Sequence, residues 1–273
     1  MGRWRRCLGD GHRRDDAGVF SAVSVATLEA PVITAIVPAW NESARIGAVL
    51  SVLIGHPLLA RVLVVDDGST DGTGQVARHA GAEVLSLAAN GGKTAALAAA
   101  IARTTTPYLM LIDADLQGIT RDDIARLALP VLSGRASVTL SLRGNTPRLW
   151  HWLGVDYISG ERVLPRALIA PLLDQLPGLP RFGFEVFLNA RILGAGLRPV
   201  IVDWPGVTSP LKSRKQGLWP GLRADARMVR DMMRTVPPLG LMRQIIAFRP
   251  RLGDIAVVPD RPTLARGRAI HRR

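Results

Sequence analysis

Short apolar runs alternate along this chain with longer segments in which apolar and polar residues are mixed. From residue 32 onward the runs are rich in valine, isoleucine and leucine, and each ends abruptly at polar or acidic residues. Continuous apolar runs of this length are typical of parallel strands buried on both faces, with helices as the crossover connections. The pattern predicts strands near 32–37, 61–66, 83–87, 107–112 and 136–141, and helices near 42–54, 71–80, 92–103 and 121–133.

The pattern is less regular in the second half of the chain. It predicts a helix over 182–193, a strand over 198–204 and a second helix over 222–236, separated by proline-rich and basic segments. A short apolar piece flanked by arginines follows at 239–248. Such a piece can lie on a membrane surface or pack on the preceding domain, and the sequence leaves both alternatives open.

The fourth predicted strand runs directly into two carboxylates, Asp113 and Asp115. Two acids one residue apart at the end of a strand can both reach a hard divalent cation, which prefers oxygen ligands and shares them with substrate phosphates. The same pair is often a turn former or a helix cap. On these two residues alone, a metal site and a structural turn stay as alternatives.

Three further polar groups follow other predicted strands or precede a predicted helix. They are the segments 38–42 (PAWNE), 66–71 (DDGSTD) and 91–93 (GGK). Because the carboxyl ends of parallel strands meet at one edge of a sheet, we expect these groups to lie near Asp113 and Asp115. The glycine-rich segment is not a P-loop, since the spacing of that motif is absent.

These three segments and 113–117 (DADLQ), in this order and spacing, resemble the nucleotide-sugar-binding half of a family 2 glycosyltransferase of GT-A fold. The last segment is especially similar to the dolichyl- or polyprenyl-phosphate mannosyltransferase branch. The resemblance is dense over residues 32–124 and thins afterwards. It implies an α/β fold of the GT-A, Rossmann-like type, in which a mostly parallel sheet is flanked by helices in a single domain with a C-terminal helical extension.

The resemblance also suggests a division of the chain. We expect residues 1–30 to form a flexible basic leader and residues 31–236 to form the glycosyltransferase domain. Within that domain, 31–135 is the expected nucleotide-sugar half and 136–236 the expected acceptor half. Residues 237–273 form a C-terminal extension that could contact a membrane and that ends in a basic tail.

For the donor, the resemblance implies that the acidic pair and one amide hold a divalent cation, Mg²⁺ or Mn²⁺. Asp113 and Asp115 are the expected metal and diphosphate residues, Asp115 is also expected to be catalytic, and Gln117 is the third oxygen ligand. A solvent-facing loop amide is the alternative for Gln117, because the residues after it depart from the family pattern. The remaining residues expected to bind the nucleotide sugar are Pro38, Trp40, Glu42, Asp66, Asp67, Lys93 and Ala114.

Two residues in these segments also have simple structural explanations. Asn41 would make a plausible cap for the helix that follows it. Asp71 is expected to cap the next helix rather than to bind a ligand. Trp40 replaces the tyrosine that is usual in the family, which keeps a flat surface for stacking but changes any hydroxyl contact.

For the acceptor, the segment 159–162 (SGER) resembles a Ser-Gly-x-Arg segment of the polyprenyl-phosphate branch. The resemblance implies that Arg162 faces phosphate and acts in catalysis, whereas a surface salt bridge to Glu161 or Asp156 is the alternative. Glu185 occupies the place of a catalytic carboxylate in many family members, as a base or as a residue that orients arginines. The other expected acceptor-binding residues are all cations: Arg143, Lys212, Arg214 and Lys215. The last three lie in one basic loop, and a loop that is simply exposed to solvent is the alternative for them.

The net charge of +13 indicates an anionic partner, such as a nucleotide diphosphate, a lipid phosphate or a membrane surface. No recognised nucleic-acid-binding motif accompanies this charge, so nucleic acid is not an expected partner. The single cysteine, Cys7, fits a reducing cytoplasm. No uncharged apolar run reaches the roughly 18 to 20 residues that cross a bilayer. We therefore expect a cytoplasmic protein that could bind peripherally at the inner face of the membrane.

The predicted function is inverting, metal-dependent transfer of a hexose from a UDP- or GDP-linked sugar to an acceptor. The arginine-rich second half of the chain favours polyprenyl phosphate as that acceptor. Two alternatives stay open. One is transfer to a saccharide or small-molecule hydroxyl in polysaccharide biosynthesis, and the other is a nucleotide-sugar-binding protein that has lost catalysis.

Overall fold

The computed structural model describes residues 31–145, 159–180, 183–210 and 235–248. In these ranges the strands are β1 (Ile33–Ala39), β2 (Leu59–Asp66), β3 (Glu83–Ser86), β4 (Tyr108–Leu111), β5 (Val138–Arg143), β6 (Arg162–Pro165) and β7 (Pro199–Trp204). The helices are α1 (Ile46–Leu53), α2 (Thr73–His79), α3 (Lys93–Ala102), α4 (Arg121–Leu132), α5 (Phe184–Gly194) and α6 (Pro238–Phe248). Two 3-10 segments cover Arg166–Leu168 and Ala170–Gly178.

The strands form one mixed, mostly parallel sheet in the order β3-β2-β1-β4-β6-β5-β7. β1 pairs in parallel with β2 and β4, β2 with β3, and β5 with β7. Only β6 runs the other way among these pairs, antiparallel to β4 and β5. The carboxyl ends of six strands and the amino end of β6 therefore lie at one edge, which we call the carboxyl edge.

Both faces of the sheet are covered, which explains why the strand sequences are continuously apolar. Alternate residues of a strand point to opposite faces, so Val37 of β1 packs with α1 and α4, whereas Ile36 packs with α3 and α5. Both side chains are completely buried. Burial of this apolar surface on two faces holds the helices against the sheet.

The predicted α/β fold class is confirmed, and every strand and helix predicted up to residue 141 has a counterpart in the structure. The first helix was predicted too early, because it begins at Ile46 and not at residue 42. The helix predicted at 182–193 is present as α5, and the strand predicted at 198–204 is present as β7. The helix predicted over 222–236 lies outside the described residues, apart from its last two positions.

Sequence reasoning missed β6 and the two 3-10 segments. β6 has only four residues, begins with a buried arginine and ends in Pro165, so it lacks the apolar run by which the other strands were recognised. The expected division of the chain into leader, two halves and extension stays a prediction. Residues 1–30 and 249–273 lie outside the described part of the chain.

The apolar piece predicted near 239–248 is the helix α6. Its last residue, Phe248, is buried in the cluster that contains α5, so one face of α6 packs on the domain. Leu239, Met242 and Ile246 are exposed. In the part of the chain that the structure describes, no helix combines the length and the apolar character needed to cross a membrane.

Candidate active site

Three charged side chains from different elements meet at the carboxyl edge of the sheet. Lys93 is the first residue of α3, Asp113 follows β4, and Glu185 lies in the first turn of α5. The Nζ atom of Lys93 is 2.7 Å from Asp113 Oδ1 and 2.9 Å from Glu185 Oε1. We call these three residues the ion-paired cluster.

Burial and charge act in opposite directions on this cluster. Burial by itself would lower the pKa of Lys93, but the carboxylates of Asp113 and Glu185 raise that pKa above its usual value. Burial would likewise raise the pKa of Asp113, but the positive charges of Lys93 and Arg143 hold it below its usual value. Lys93 and Asp113 are therefore both charged at neutral pH.

Gly160 packs directly against the ion-paired cluster. A Cβ atom at this position would lie 2.5 Å from Lys93 Nζ and 2.9 Å from Asp113 Oδ1. Gly160 is buried and comes just before β6, which enters this edge against the direction of its neighbours. The close approach of two charged groups explains why a residue without a side chain stands here.

Glu161, next along the chain, is completely buried beside the cluster. Its Oε2 atom accepts hydrogen bonds from Ser159 Oγ at 2.5 Å and from Ser141 Oγ at 2.9 Å. Its Oε1 atom lies 3.5 Å from Arg143 Nη1. Burial raises the pKa of Glu161 above its usual value, and the negative charge of Asp113 acts in the same direction, whereas Arg143 opposes it.

Arg143, the last residue of β5, is the acceptor-binding candidate that the structure brings to this edge. It is half-buried, and its Nη1 atom donates a hydrogen bond to Ser209 Oγ at 3.0 Å. Contacts with Ser209 and Glu161 hold the guanidinium near Asp113, whose pKa it helps to lower. Lys212, Arg214 and Lys215 lie outside the described residues.

Arg162 has a different environment from the one expected of it. Its side chain is buried, with Nη1 donating to Asn189 Oδ1 at 2.9 Å and Nη2 donating to the carbonyl oxygen of Ser159. A surface position is wrong for Arg162, because its side chain is buried. The alternative partner Asp156 lies outside the described residues, and the expected phosphate-binding and catalytic role stays a prediction. The two printed contacts of Arg162 link the start of β6 to α5, the helix that carries Glu185.

Asp67 holds the loop that leads into Lys93. The buried carboxylate accepts the amide of Gly91 at 2.8 Å through Oδ1 and the amide of Gly92 at 2.8 Å through Oδ2. Both carboxylate oxygens accept backbone amides, so Asp67 supports this loop. Its expected contact with the nucleotide stays a prediction. Asp66, at the end of β2, accepts the amide of Ser69 through Oδ1 at 3.1 Å and stays at the carboxyl edge.

Asn41 joins the loops that follow β1 and β2. Its backbone amide donates to Ser69 Oγ at 3.0 Å, and its side-chain Oδ1 accepts the backbone amide of Thr70 at 2.9 Å. Its φ of 54° is the only positive value of a non-glycine residue in the described part of the chain. The alternative of a helix cap is wrong for Asn41, because Arg45 occupies the cap position of α1.

Asp71 fastens the same two loops near the start of α2. Its carboxylate accepts the Thr73 amide at 3.0 Å and the Ser43 amide at 3.0 Å. Asp71 therefore serves a helix-start amide as expected, although Gly72 occupies the cap position itself. Burial alone would raise the pKa of Asp71, but the hydrogen bonds from Thr73 and Ser43 lower it to about 2.

The segment 38–42 lies where β1 reaches the carboxyl edge. Pro38 is half-buried in the strand, and Trp40 is 48% exposed just beyond it, so its ring is available for stacking. Glu42 forms a salt bridge of 2.8 Å with Arg45, and its amide donates to Thr73 Oγ1 at 2.8 Å. These contacts fix the backbone of the segment next to Asp66.

Asp115 lies in the turn after β4, two residues beyond the ion-paired cluster. It is half-buried, and Ala114 beside it is buried. The backbone of Gln117 forms a bridge with Thr208, with an N–O distance of 2.8 Å, while its side chain is exposed. Across the described ranges, no three His, Cys, Asp or Glu residues are grouped as a metal cage.

Some contributors to this edge were not predicted from the sequence. Ser141 is completely buried in β5 and bonds Glu161, and Asn189 is completely buried in α5 and bonds Arg162. Their only signal in the sequence is a polar residue within an otherwise apolar strand or helix, which is common at exposed positions too. Their partners become apparent only when β6 lies between β4 and β5.

Sequence comparison relates the chain to known glycosyltransferases. Residues 34–162 match the family model described as Glycosyl transferase family 2. An uncharacterised glycosyltransferase of Mycobacterium tuberculosis is 33% identical over 186 residues, which are 63% of this chain and 83% of that protein. A 4,4'-diaponeurosporenoate glycosyltransferase of Staphylococcus aureus is 36% identical over 100 residues, which are 35% of this chain and 27% of that protein.

The fold is similar to that of glucosyl-3-phosphoglycerate synthase from Mycobacterium tuberculosis. Its complex with Mn²⁺, UDP and glucosyl-3-phosphoglycerate gives a TM-score of 0.57 at 22% identity, covering 76% of this chain and 82% of that chain. The complex of the same enzyme with Mg²⁺ and UDP gives a TM-score of 0.57 at 23% identity, covering 76% of this chain and 81% of that chain. This likeness confirms the predicted GT-A fold. With the match to the family model and the 33% identical relative, it follows that the chain belongs to glycosyltransferase family 2.

Proposed function

We propose that this protein is an inverting, metal-dependent enzyme that transfers a hexose from a UDP- or GDP-linked sugar to an anionic acceptor, with polyprenyl phosphate as the expected acceptor. The observation that carries the proposal is the ion-paired cluster of Lys93, Asp113 and Glu185 beside Asp115. In open α/β sheets, ligands bind at the carboxyl edge. Family membership supplies the reaction type, and the charged groups that it needs converge at this edge.

The residues at this edge fit a divalent cation that is held partly by the substrate. Asp115 offers a half-buried carboxylate, and Asp113 offers an oxygen beyond the one that Lys93 occupies. Mg²⁺ and Mn²⁺ accept one or two carboxylates and complete their coordination with phosphate oxygens and water. When bound, such an ion stabilises the negative charge on the departing diphosphate. Gln117 is the proposed third ligand, because its backbone is anchored and its side chain is exposed.

Lys93 supplies a fixed positive charge next to the acidic pair. Its pKa is raised by Asp113 and Glu185, so the ammonium persists at neutral pH. A cation positioned before the reaction stabilises charge that develops on a leaving group, since no reorganisation is then required. Asp67 sets this position by holding Gly91 and Gly92, the two residues that precede Lys93.

The nucleoside is proposed to lie between the loops that follow β1 and β2. Trp40 is exposed enough to stack on a flat ring, and Pro38, Glu42 and Asp66 border the same space. Asp67 is proposed to border this space as well, with a carboxylate that also accepts the Gly91 amide of the next loop. UDP accompanies a divalent metal in the complexes of the glucosyl-3-phosphoglycerate synthase, which favours UDP over GDP for the donor.

An anionic acceptor is supported by the arrangement of Arg143 and Glu185. The Arg143 guanidinium is held at the edge by Ser209, where it can meet a phosphate. Glu185 is engaged by Lys93 at 2.9 Å, which favours an orienting role over that of a free base. A phosphate or carboxylate acceptor is already anionic and needs no base to remove a proton.

A second candidate is transfer to a hydroxyl of a small phosphorylated acid. The structure of similar fold is named for glucosyl-3-phosphoglycerate, in which the sugar is carried by such an acid. In that reaction Glu185 would act as the base that removes the hydroxyl proton. An inactive binding protein is less well supported, because the cluster retains both carboxylates, the lysine and Asp115.

The place of action is proposed to be the inner face of the cytoplasmic membrane. A polyprenyl phosphate acceptor is held there, and the net charge of +13 favours an anionic surface. The exposed residues Leu239, Met242 and Ile246 recur along α6 at helical spacing. Such a stripe is suited to the interface between lipid headgroups and hydrocarbon.

The proposal is tested first on the donor side. Thermal-shift titration with UDP- and GDP-hexoses, with and without Mn²⁺, should show a rise in Tm that depends on the metal for one nucleotide. Asp115→Ala should abolish the metal-dependent part of that rise. Asp203→Ala, at an exposed position on β7, is the matched control and should keep it.

The acceptor is then tested with a labelled hexose donor. Product that extracts with polyprenyl phosphate into organic solvent supports the first candidate. Product that stays in the aqueous phase with a phosphorylated small acid supports the second candidate instead. No metal-dependent shift and no product with either acceptor would leave only the inactive binding protein.

A further inference from the structure

A cleft with a volume of ≈ 470 Å³ opens beside the first turn of α3. This volume falls within the roughly 300 to 1,000 Å³ that is usual for ligand sites. No role has so far been given to this cleft. Its two walls are the start of α3 on one side and the end of the longer 3-10 segment on the other: Gly92, Thr94 and Ala95 face Leu176, Pro177 and Leu179.

The first turn of α3 presents backbone amides that have no acceptor. In the described part of the chain, the amides of Lys93, Thr94 and Ala95 donate to no backbone or side-chain oxygen. The cap residue Gly92 has no side chain that could accept them, and no acidic residue stands in the first turn. Unpaired amides at the start of a helix of ten residues attract an anion, because the helix dipole adds to their positive character.

A second, independent observation comes from the side chain of Thr94. Thr94 is only 7% exposed and lines the cleft, yet its Oγ1 has no hydrogen-bond partner among the described residues. A buried hydroxyl is unfavourable unless something bonds to it. An oxyanion that sits on the neighbouring amides would also accept a hydrogen bond from this hydroxyl.

The neighbouring charges decide which amides are available. Asp67 already occupies the amides of Gly91 and Gly92, so an incoming anion must use those that follow. The Lys93 ammonium is paired with Asp113 and Glu185 and contributes little net charge to the cleft. The attraction therefore comes from the helix start and from Thr94.

The opposite wall determines what the anion is attached to. Leu176, Pro177 and Leu179 offer apolar surface within the same cleft. Pro177 is exposed and Leu179 half-buried, so both can be covered by a ligand, whereas Leu176 belongs to the core beneath them. A ligand that satisfies both walls has an acid group at one end and a hydrocarbon part at the other.

We propose that this cleft binds the acid group of an amphiphilic acceptor, a phosphate or carboxylate carried on an apolar chain. The acid oxygens accept the amides of Thr94 and Ala95 and the hydroxyl of Thr94, and the chain runs over Pro177 and Leu179. This inference rests on the proposed function, because it identifies the ligand of the cleft with the sugar acceptor, and it assigns the acid group of that acceptor to the start of α3 rather than to Arg143. The sources of the acid group, a lipid phosphate or an apolar carboxylate, share this chemistry.

The test is calorimetric titration of the full chain with farnesyl phosphate, with dodecanoate and with inorganic phosphate, without donor. The Thr94→Val variant keeps the shape of the side chain and removes the hydroxyl, and we expect it to weaken binding of the amphiphile about tenfold. Thr104→Val is the matched control near the other end of the same helix, where the hydroxyl bonds the carbonyl of Ala100. It should leave the affinity unchanged.

A second variant separates loss of the site from loss of the fold. Ala95→Asp places a carboxylate on the free amides, so it should keep or raise Tm through the helix dipole while it weakens binding of the amphiphile. Equal affinity in wild type and Thr94→Val, or equal loss in Thr94→Val and Thr104→Val, would overturn the proposal. So would inorganic phosphate binding as tightly as both amphiphiles, since the apolar wall would then contribute nothing.

The same titrations keep this inference distinct from the proposed function. Binding of farnesyl phosphate alone assigns the cleft to a lipid phosphate, and binding of dodecanoate alone assigns it to an apolar carboxylate. If binding depends on Thr94 but no hexose is transferred to the bound amphiphile, the proposed acceptor fails while the site stands. If transfer occurs but is equally fast in Thr94→Val at low acceptor concentration, the site fails while the proposed function stands.

Discussion

The carboxylate of Asp67 accepts the amide of Gly92 at 2.8 Å, a contact that joins residues 25 positions apart in the chain. It connects the end of β2 to the start of α3, which carries Lys93. The first residue of α3 therefore has a position fixed by a carboxylate that directly follows β2. The charged groups at the carboxyl edge are held in place by backbone and side-chain contacts before any substrate arrives.

We predict that Asp67→Ala lowers the free energy of unfolding by about 2 kcal/mol or more, because the amide of Gly91 and the buried amide of Gly92 lose their acceptor. Urea denaturation measures this change. Asp203→Ala, at an exposed position, should change the free energy by less than about 0.5 kcal/mol. A similar small change in both variants would mean that the loop is held by other contacts.

Removing the charge of Lys93 should slow the reaction more than it weakens donor binding. In Lys93→Met, the leaving diphosphate loses a preorganised cation, and we expect kcat to fall about 100-fold. Steady-state kinetics with saturating donor measure kcat, and Arg191→Met on the exposed side of α5 is the control. An unchanged kcat with a higher KM would show that Lys93 binds substrate without assisting its departure.

Gly160→Ala should reduce activity without unfolding the protein. The added methyl group would meet Lys93 Nζ at 2.5 Å and push apart the pair that this ammonium forms with Asp113. We expect kcat to fall at least tenfold, which is about 1.4 kcal/mol of transition-state stabilisation. Gly194→Ala is the matched control, since nothing lies within 4 Å of its added methyl group. Full activity in Gly160→Ala would show that the pair tolerates displacement.

The pH dependence of the free energy of unfolding should show the titration of Glu161. Because burial raises the pKa of Glu161 in the folded state, its contribution is full below the ordinary glutamate pKa of 4.5 and is lost as pH rises through the raised pKa. Glu161→Gln stays neutral and keeps an acceptor for Ser141 and Ser159. The free energy of unfolding of Glu161→Gln should therefore increase relative to that of wild type as the pH rises above 4.5.

The comparison is made by urea denaturation at several pH values. Glu83→Gln, whose parent carboxylate is exposed at the edge strand β3, serves as the control. Its curve should run parallel to that of wild type over the window in which Glu161 titrates. Parallel curves for Glu161→Gln would mean that Glu161 is already charged in the folded state at low pH.

If α6 contacts the membrane, charged substitutions in its exposed apolar stripe should prevent the protein from binding vesicles. Met242 and Ile246 are 64% and 63% exposed, and Met242→Glu with Ile246→Glu should abolish co-sedimentation with vesicles that contain anionic lipid. Ala195→Glu, at an exposed position after α5, adds one negative charge elsewhere and should reduce binding only slightly. Unchanged binding in the double variant would mean that the stripe does not insert.

The sequence by itself determined the fold class and the edge of the sheet at which the candidate site residues lie. Parallel strands buried on both faces require continuous apolar runs, so β1, β2 and β4 were visible in the pattern, and so were the polar residues at their ends. Asp113 and Lys93 were recognised as polar residues between a strand and a helix, whereas Glu185 was recognised only through the resemblance to the family. Strands and the polar residues at their ends can be predicted because hydrophobic periodicity and residue type are local properties of the sequence.

Only the tertiary structure decided how those residues are used. Asp67 turned out to hold a loop, Arg162 to be an interior link to Asn189, and Glu161 to be a buried acid. Each role is set by partners that lie elsewhere in the chain. For Asp67 they are the amides before α3, and for Arg162 and Glu161 they are brought near when β6 inserts antiparallel between β4 and β5. The physical reason is that a buried polar group is governed by whichever partners pack around it, and those partners are distant in the sequence.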